Sequence, residues 1–168
     1  SDWRGKRLSG GGTLLSQALH RIDQLVYFFG TPVEVEGTTR TTRDYIEVED
    51  YAEGRVTFEN GVVANIKSDN SSGNPDTISI IRIEGERGNI TLSDDLTPEW
   101  DVDFPKPEFI GTDAIPEKYR PSYYGPCHER VINDFVEAIV NNRELAIKAE
   151  DSLNSMRVIF GKVGEPFS

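Results

Sequence analysis

The sequence predicts an α+β fold in which helices pack on one face of a mostly antiparallel open sheet. Five stretches in the middle of the chain have strand patterns and are joined by short turns, with no helix between them. Consecutive strands joined in this way can only be antiparallel. One helical pattern precedes these stretches and two follow them, an order that favours helices on a single sheet face.

The first helix follows the glycine run Gly10–Gly12 and ends at Gly30, with Pro32 beyond it. Its apolar residues recur at helical spacing and predict a core-facing stripe, consisting of Leu15, Ala18, Leu19, Ile22, Val26 and Phe29. At about 100° per residue, four polar or aromatic residues share one arc of roughly 60° at the edge of that stripe. They are Ser16, His20, Asp23 and Tyr27.

His20 is the candidate catalytic residue of this arc. Ser16 lies one turn before it and Asp23 one turn after it, so both side chains are predicted to reach toward the imidazole. A nearby carboxylate holds one imidazole tautomer, as a general acid or base requires. A structural histidine is the alternative, whereas a Ser16-His20-Asp23 hydrolase triad is disfavoured because no nucleophile elbow is present.

The predicted strands begin with residues 33–39 and 45–59, the second with Glu47, Glu49 and Glu53 on one face. Asn60-Gly61 predicts a two-residue hairpin into residues 62–70, and further strands are predicted at 77–84 and 89–93. Residues 94–126 hold six of the nine prolines and predict a long irregular connection. Helices at 129–141 and from 149 to about 163 complete the chain. Asp50 falls on an apolar strand face and should therefore be hydrogen-bonded or close to the site.

Length and composition limit the function classes. The 168 residues suit one domain, residues 1–168, and the first residue is not methionine, so a segment of a longer protein is expected. The net charge of -11 disfavours nucleic-acid binding, and no apolar run is long enough to span a membrane. The lone Cys127 has no partner for a disulfide or a metal site, which favours a cytoplasmic location.

The glycine run does not form a dinucleotide fingerprint. The pattern G-x-G-x-x-G requires a glycine where Leu15 stands, and no βαβ unit follows. A flexible turn that lets the helix begin close to another backbone is favoured over phosphate binding at the helix N-terminus. With two histidines far apart in sequence, a metallohydrolase is disfavoured and no metal site is predicted.

Short motifs occur in a fixed order from residue 3 to about residue 160. They are Trp3-Arg4-Gly5, Gly10–Gly12, Ser16–Asp23, Val48–Ala52, Phe58–Gly61, Ile83–Gly88, Tyr124–His128 and Asp134-Phe135 with Ala138-Ile139. In this order and spacing they resemble the C-terminal domain of the Gfo/Idh/MocA oxidoreductases, a family named for glucose-fructose oxidoreductase and inositol dehydrogenase.

The resemblance implies a substrate-binding and oligomerisation domain of an NAD(P)-dependent oxidoreductase. Family members act on a carbon that bears a hydroxyl, mostly in sugars and cyclitols. The cofactor, NAD or NADP, would be bound mainly by an N-terminal Rossmann domain that this chain lacks, and the isolated chain would be inactive. The open sheet face would join copies of the chain into a homo-oligomer.

The family pattern D-x-G-x-H-x-x-D matches His20 and Asp23, while Ser16 replaces the first Asp. Because Ser16 can only hydrogen-bond at neutral pH, a non-catalytic binding or assembly module with the same fold is the alternative. By the same resemblance Trp3 and Arg4 are predicted near the nicotinamide, and Arg4 also near the substrate. Tyr124 and His128 are further predicted substrate contacts, with packing against the following helix as their alternative role.

Overall fold

The computed structural model of the chain describes residues 3–71, 80–93, 98–105 and 127–161. The chain divides into two compact units, Ser1–Thr77 with Ala149–Ser168, and Ile78–Lys148. Within the described ranges, no helix combines the length and the apolar character needed to cross a membrane.

The first unit is a three-stranded antiparallel sheet with two helices. Its strands are β1 (Pro32–Arg40), β2 (Tyr51–Phe58) and β3 (Val63–Asp69), in the order β1-β2-β3. A π-helical turn, Leu14–Ala18, leads directly into α1 (Leu19–Phe29). After the second unit the chain continues through a 3-10 turn, Ala149–Ser152, into the helix α3 (Leu153–Phe160).

The core of the first unit lies between the two helices and one face of β2. Ile22 of α1, Val56 and Phe58 of β2, and Val158 of the last helix, α3 (Leu153–Phe160), form one buried cluster. Leu14, Ala18, Val26 and Phe29 pack against that cluster. The alternation in β2 therefore directs one set of side chains to the helices and leaves the other set on an open face.

In its described residues, the second unit contains another three-stranded antiparallel sheet and one helix. Its strands are β4 (Ile81–Gly85), β5 (Gly88–Leu92) and β6 (Glu99–Val102), again in sequential order. The helix is α2 (Cys127–Asn141). The predicted α+β class with antiparallel sheets is confirmed, and the consecutive strands are divided between two sheets.

Three local expectations differ from the structure. The strand expected at 45–59 is restricted to Tyr51–Phe58, and β6 occupies part of the stretch expected to be irregular. The hairpin between β2 and β3 has three residues rather than two, because the Phe58 N–H donates to the Val62 carbonyl and only Gly61 of the loop has a positive φ, 84°. A two-residue type I′ turn would require positive φ at Asn60 as well.

Burial of the closing helices also departs from the apolar pattern. Among residues 128–141 of α2, whose burial the structure describes, only Ala138 is buried, whereas Val131, Ile132, Phe135 and Ile139 are each more than half exposed. In α3 the buried residues are Ser155 and Val158, and Leu153 is exposed. Periodicity thus predicted both helices, but it did not identify which face of each helix would be covered.

Candidate functional site

His20 lies near the start of α1 with an exposed side chain. Ile22, two residues further on, is 1% exposed and anchors the opposite side of the helix in the core. Among the described residues, no hydrogen bond or ion pair involves the imidazole of His20. The side chain is therefore presented at the surface of the first unit, where a small molecule can reach it.

The two predicted neighbours of His20 have other hydrogen-bond partners. The Ser16 hydroxyl donates at 2.8 Å to the carbonyl of Gly12, which precedes the helical segment. The Asp23 carboxylate accepts a 2.7 Å hydrogen bond from the hydroxyl of Ser155, which is fully buried on α3. The structure thus leaves all three residues on one helical segment, but neither side chain is hydrogen-bonded to the imidazole.

The π-helical turn accounts for part of this difference. Leu14–Ala18 spans the interval between Ser16 and the beginning of α1. A π turn adds a residue to the helical repeat, so side chains on either side of it no longer follow the spacing of 100° per residue. The predicted arc therefore does not describe how Ser16 and His20 face each other.

The start of this helical segment is occupied by a carboxylate. Glu49 accepts the Thr13 N–H with its backbone carbonyl at 2.9 Å and the Leu14 N–H with Oε1 at 3.3 Å. Its carboxylate lies where a Cβ atom on Gly12 would have to stand. Because an acidic group already fills the helix N-terminus, these residues do not fit the phosphates of a dinucleotide, which would be repelled there.

A second contact ties the helix start to the sheet. The Thr13 hydroxyl, in a residue only 2% exposed, lies 2.6 Å from the Ser68 hydroxyl on β3. The segment before β2 also contacts the N-terminal turn, since the Glu47 N–H donates to the Gly5 carbonyl at 2.8 Å and its carboxylate pairs with Lys6 at 2.6 Å. Residues 47–50 therefore connect the N-terminal turn, the helix start and the sheet.

Asp50 is the buried acid of this segment, as its predicted place on an apolar face required. It is 3% exposed, and its carboxylate accepts hydrogen bonds from the N–H of Thr42 at 2.8 Å and from the Thr42 hydroxyl at 2.7 Å. Burial raises the pKa of the Asp50 carboxyl, but the Thr42 hydrogen bonds and the Arg43 guanidinium at 3.4 Å outweigh it and lower the pKa below its usual value. Asp50 is thus a charged structural residue.

The remaining predicted contacts are distributed over the chain. Trp3 and Arg4 belong to a 3-10 turn, Trp3–Gly5, in which the Trp3 side chain is 56% exposed. His128 lies in the first turn of α2, in the second unit, and is exposed. Tyr124 lies outside the described residues.

Sequence reasoning did not identify Glu49, Thr13, Ser68 and Ser155 as neighbours of the candidate site. Alternation through a strand at 45–59 places Glu49 beside Glu53 on an outward face, but residues 45–50 are not part of β2. The other three residues act through their hydroxyl groups. Thr13 and Ser68, which contact each other, are 55 positions apart in the sequence, and Ser155 is 132 positions from its partner Asp23. No local pattern encodes contacts over such separations.

Other site types find little support in the described ranges. No three His, Cys, Asp or Glu side chains among those residues converge as metal ligands would. A cavity of about 280 Å³ beside the paired glycines Gly37 and Gly54 is lined mainly by apolar side chains such as Leu14 and Val158, and His20 is not among its lining residues. An exposed imidazole, on a helix that is held by Glu49, Ser68 and Ser155, can exchange a proton with the hydroxyl or carbonyl of a bound molecule. This is the chemistry that the site offers.

A family model described as "Oxidoreductase family, C-terminal alpha/beta domain" matches residues 1–161. Among solved structures, the WlbA dehydrogenase from Bordetella pertussis, in complex with NADH and UDP-GlcNAcA, is similar to this chain, with a TM-score of 0.78 and 23% sequence identity. The match covers 96% of this chain and 47% of the WlbA chain. Biliverdin reductase from Synechocystis, in complex with biliverdin and NADP+, is also similar, with a TM-score of 0.70 and 17% sequence identity. This match covers 98% of this chain and 50% of the reductase chain. The chain thus spans about half the length of these structures. No match was found among curated proteins.

Proposed function

The chain belongs to the Gfo/Idh/MocA oxidoreductase family as a C-terminal alpha/beta domain, and on that premise we propose that it is the substrate-binding and oligomerisation domain of an NAD(P)-dependent enzyme. The substrate is a sugar-like or cyclitol-like alcohol or ketone, and the reaction takes place at its CH–OH carbon. A similar dehydrogenase was crystallised with NADH and a UDP-sugar acid, which supports a carbohydrate substrate. The exposed His20 on α1 is the observation that carries the proposal.

His20 acts as the general acid or base. In the oxidising direction its imidazole would accept the proton of the substrate hydroxyl as that hydroxyl becomes a carbonyl. In the reducing direction the imidazolium returns that proton. Bound NAD or NADP supplies the hydride acceptor or donor, and we assign most of its binding to a Rossmann domain in the part of the longer protein that precedes this chain.

The other predicted residues bind rather than react. The Ser16 hydroxyl donates to Gly12, but its oxygen keeps lone pairs that can accept a hydrogen bond from a substrate hydroxyl. Asp23, Arg4, Tyr124 and His128 remain proposed substrate contacts. Trp3 and Arg4 remain proposed contacts to the cofactor, and the half-exposed indole of Trp3 suits a flat ring such as the nicotinamide.

The test is the His20→Ala variant of the full-length enzyme, with oxidation of UDP-GlcNAcA and other sugar nucleotides by NAD+ or NADP+ as the first assays. Loss of a positioned acid or base lowers kcat by about 10²–10⁴-fold. Gln24→Ala, an exposed change on the same helix, is the matched control and should keep full turnover. Equal turnover of the His20→Ala variant and the wild type on the true substrate would contradict the assignment. The isolated chain should show no dehydrogenase activity.

A non-catalytic module is the second candidate. It is favoured by the engagement of Ser16 and Asp23 with Gly12 and Ser155, which leaves His20 without either predicted partner. The encoded sequence upstream of Ser1 discriminates between the two. A glycine fingerprint with a Glu-Lys-Pro motif there supports the enzyme, whereas their absence supports the module.

We also propose that the open face of the first sheet joins copies of the chain and that the protein works in the cytoplasm. Opposite charges face each other across the strands of that face, as Glu36 faces Arg55 and Glu53 faces Lys67. A face of balanced charge can meet its own copy without net repulsion. The cytoplasmic location is supported by the single cysteine, Cys127.

A further inference from the structure

The π-helical turn Leu14–Ala18 lies between two anchors. On its C-terminal side, Ile22 is buried in the core and Asp23 accepts the hydrogen bond from Ser155. On its N-terminal side, Glu49 receives the N–H groups of Thr13 and Leu14. A π turn is rare and less favourable than an α turn, so it persists where the chain at both of its ends is fixed.

The N-terminal anchor depends on one glycine. The Glu49 carboxylate fills the position of a Cβ on Gly12, so any other residue at 12 would have to displace it. Thr13 adds a 2.6 Å contact with Ser68 on β3, at a residue that is 2% exposed. The two hydrogen bonds to Glu49 and the contact with Ser68 together fix the orientation of the helix start relative to the sheet.

We propose that Glu49 is a positioning residue for Ser16 relative to His20. Its carboxylate lies over Gly12, so that the π turn keeps its extra residue and the two side chains keep their relative direction. Release of the helix start lets the π turn relax to an α turn, and a slip of one residue rotates Ser16 by about 100° relative to His20. The proposal rests on the proposed function for its catalytic consequence. Its structural consequence is independent of that function.

The structural test uses NMR of the chain, which contains only two histidines. His20→Ala and His128→Ala variants assign the two imidazole signals, and His128, in the second unit, serves as an internal control. We expect Glu49→Ala and Gly12→Ala to shift the His20 signal and to accelerate amide exchange in residues 14–18, while the His128 signal stays in place. Glu49→Gln keeps the oxygen that accepts the Leu14 N–H and should remain close to wild type.

A double mutant makes the test specific to the contact between residues 12 and 49. If Gly12→Ala acts by displacing the carboxylate, adding it to Glu49→Ala should shift the His20 signal little further. Ser68→Ala is a milder variant that decides the outcome should Gly12→Ala fail to fold. An unmoved His20 signal in folded Glu49→Ala and Ser68→Ala variants would overturn the proposal.

The kinetic readout separates this proposal from the proposed function. In the full-length enzyme, Glu49→Ala should lower kcat by about 10–100-fold with a smaller change in KM, and Glu49→Gln should recover most of it. Loss of turnover in Glu49→Ala without any change in the His20 signal would also contradict positioning. If His20→Ala has no effect on turnover, the proposed function fails, and the NMR result still decides whether Glu49 sets the direction of Ser16 relative to His20.

Discussion

Asp50 is a buried carboxylate that is charged in the folded state. Both of its oxygens accept hydrogen bonds from Thr42, and Arg43 lies at 3.4 Å from Oδ2. Its backbone continues the connection, since its N–H donates to the Arg40 carbonyl at 3.1 Å and its carbonyl accepts the N–H of Asn70 at 2.8 Å. Asp50 therefore holds the segment before β2 against both neighbouring strands.

Asp50→Asn should lower the free energy of unfolding at pH 7 by about 1.5–3 kcal/mol, the range for a hydrogen bond to a charged group. Because the pKa of Asp50 is lowered in the folded state, its stabilisation is present above the unfolded-state pKa near 4 and is lost as the pH falls through the folded-state value. Urea unfolding at pH 7 and at stepwise lower pH measures both effects. Asp44→Asn, an exposed change nearby, is the control. Parallel pH profiles for wild type and Asp50→Asn would contradict this role.

The two helices of the first unit are joined by a polar contact beside an apolar cluster. Ser155 is fully buried and its hydroxyl donates to Asp23, while Ile22 and Val158 pack nearby in the core. The contact matters for α1 as an element because it sets how the helix that carries His20 lies against α3.

Ser155→Ala should therefore reduce stability by about 1 kcal/mol through loss of this hydrogen bond. Ser152→Ala is a matched control, since its exposed hydroxyl donates only to the Ala149 carbonyl within the same turn. Urea unfolding of the two variants provides the comparison. If Ser152→Ala costs as much as Ser155→Ala, the interhelical bond contributes nothing specific.

At the scale of the whole molecule, the open face of the first sheet is the surface that we expect to join copies. Arg40 stacks over the Tyr51 ring at 4.0 Å, with Lys67 on the same ring at 5.5 Å. Tyr and Arg are enriched among the residues that contribute most to interfaces. In a two-fold interface both copies use the same surface, so each of these residues contacts the partner twice, once from each copy.

Asn65→Arg, an added charge on the exposed face of β3, should weaken self-association, because a two-fold interface receives the extra charge twice. Tyr27→Arg, at an α1 residue that is 84% exposed, adds the same charge away from that face and should leave the assembly intact. Sedimentation velocity of the full-length protein measures both. A strict monomer in the wild type would refute the expected oligomer.

Much of the fold follows from local patterns in the chain. Period-two alternation predicted β2 and β3, and helical spacing predicted α1 and α2. The predicted start of α2 differs from the observed start by two residues, and its predicted end is the observed one. Alternation failed where hydrogen bonds outside the sheet decide the path of the backbone. Residues 45–50 alternate like a strand, yet Glu49 and Asp50 are held by partners outside the sheet ladder.

By itself the sequence determined the α+β class, the family and the helix that carries His20, because periodicity, turn residues and motif order are properties of neighbouring positions. Only the tertiary structure decided which groups surround that helix. It seats Glu49 over Gly12 and joins Asp23 to Ser155, 132 positions away. Such contacts depend on how packed elements bring distant residues together, and no local pattern records them.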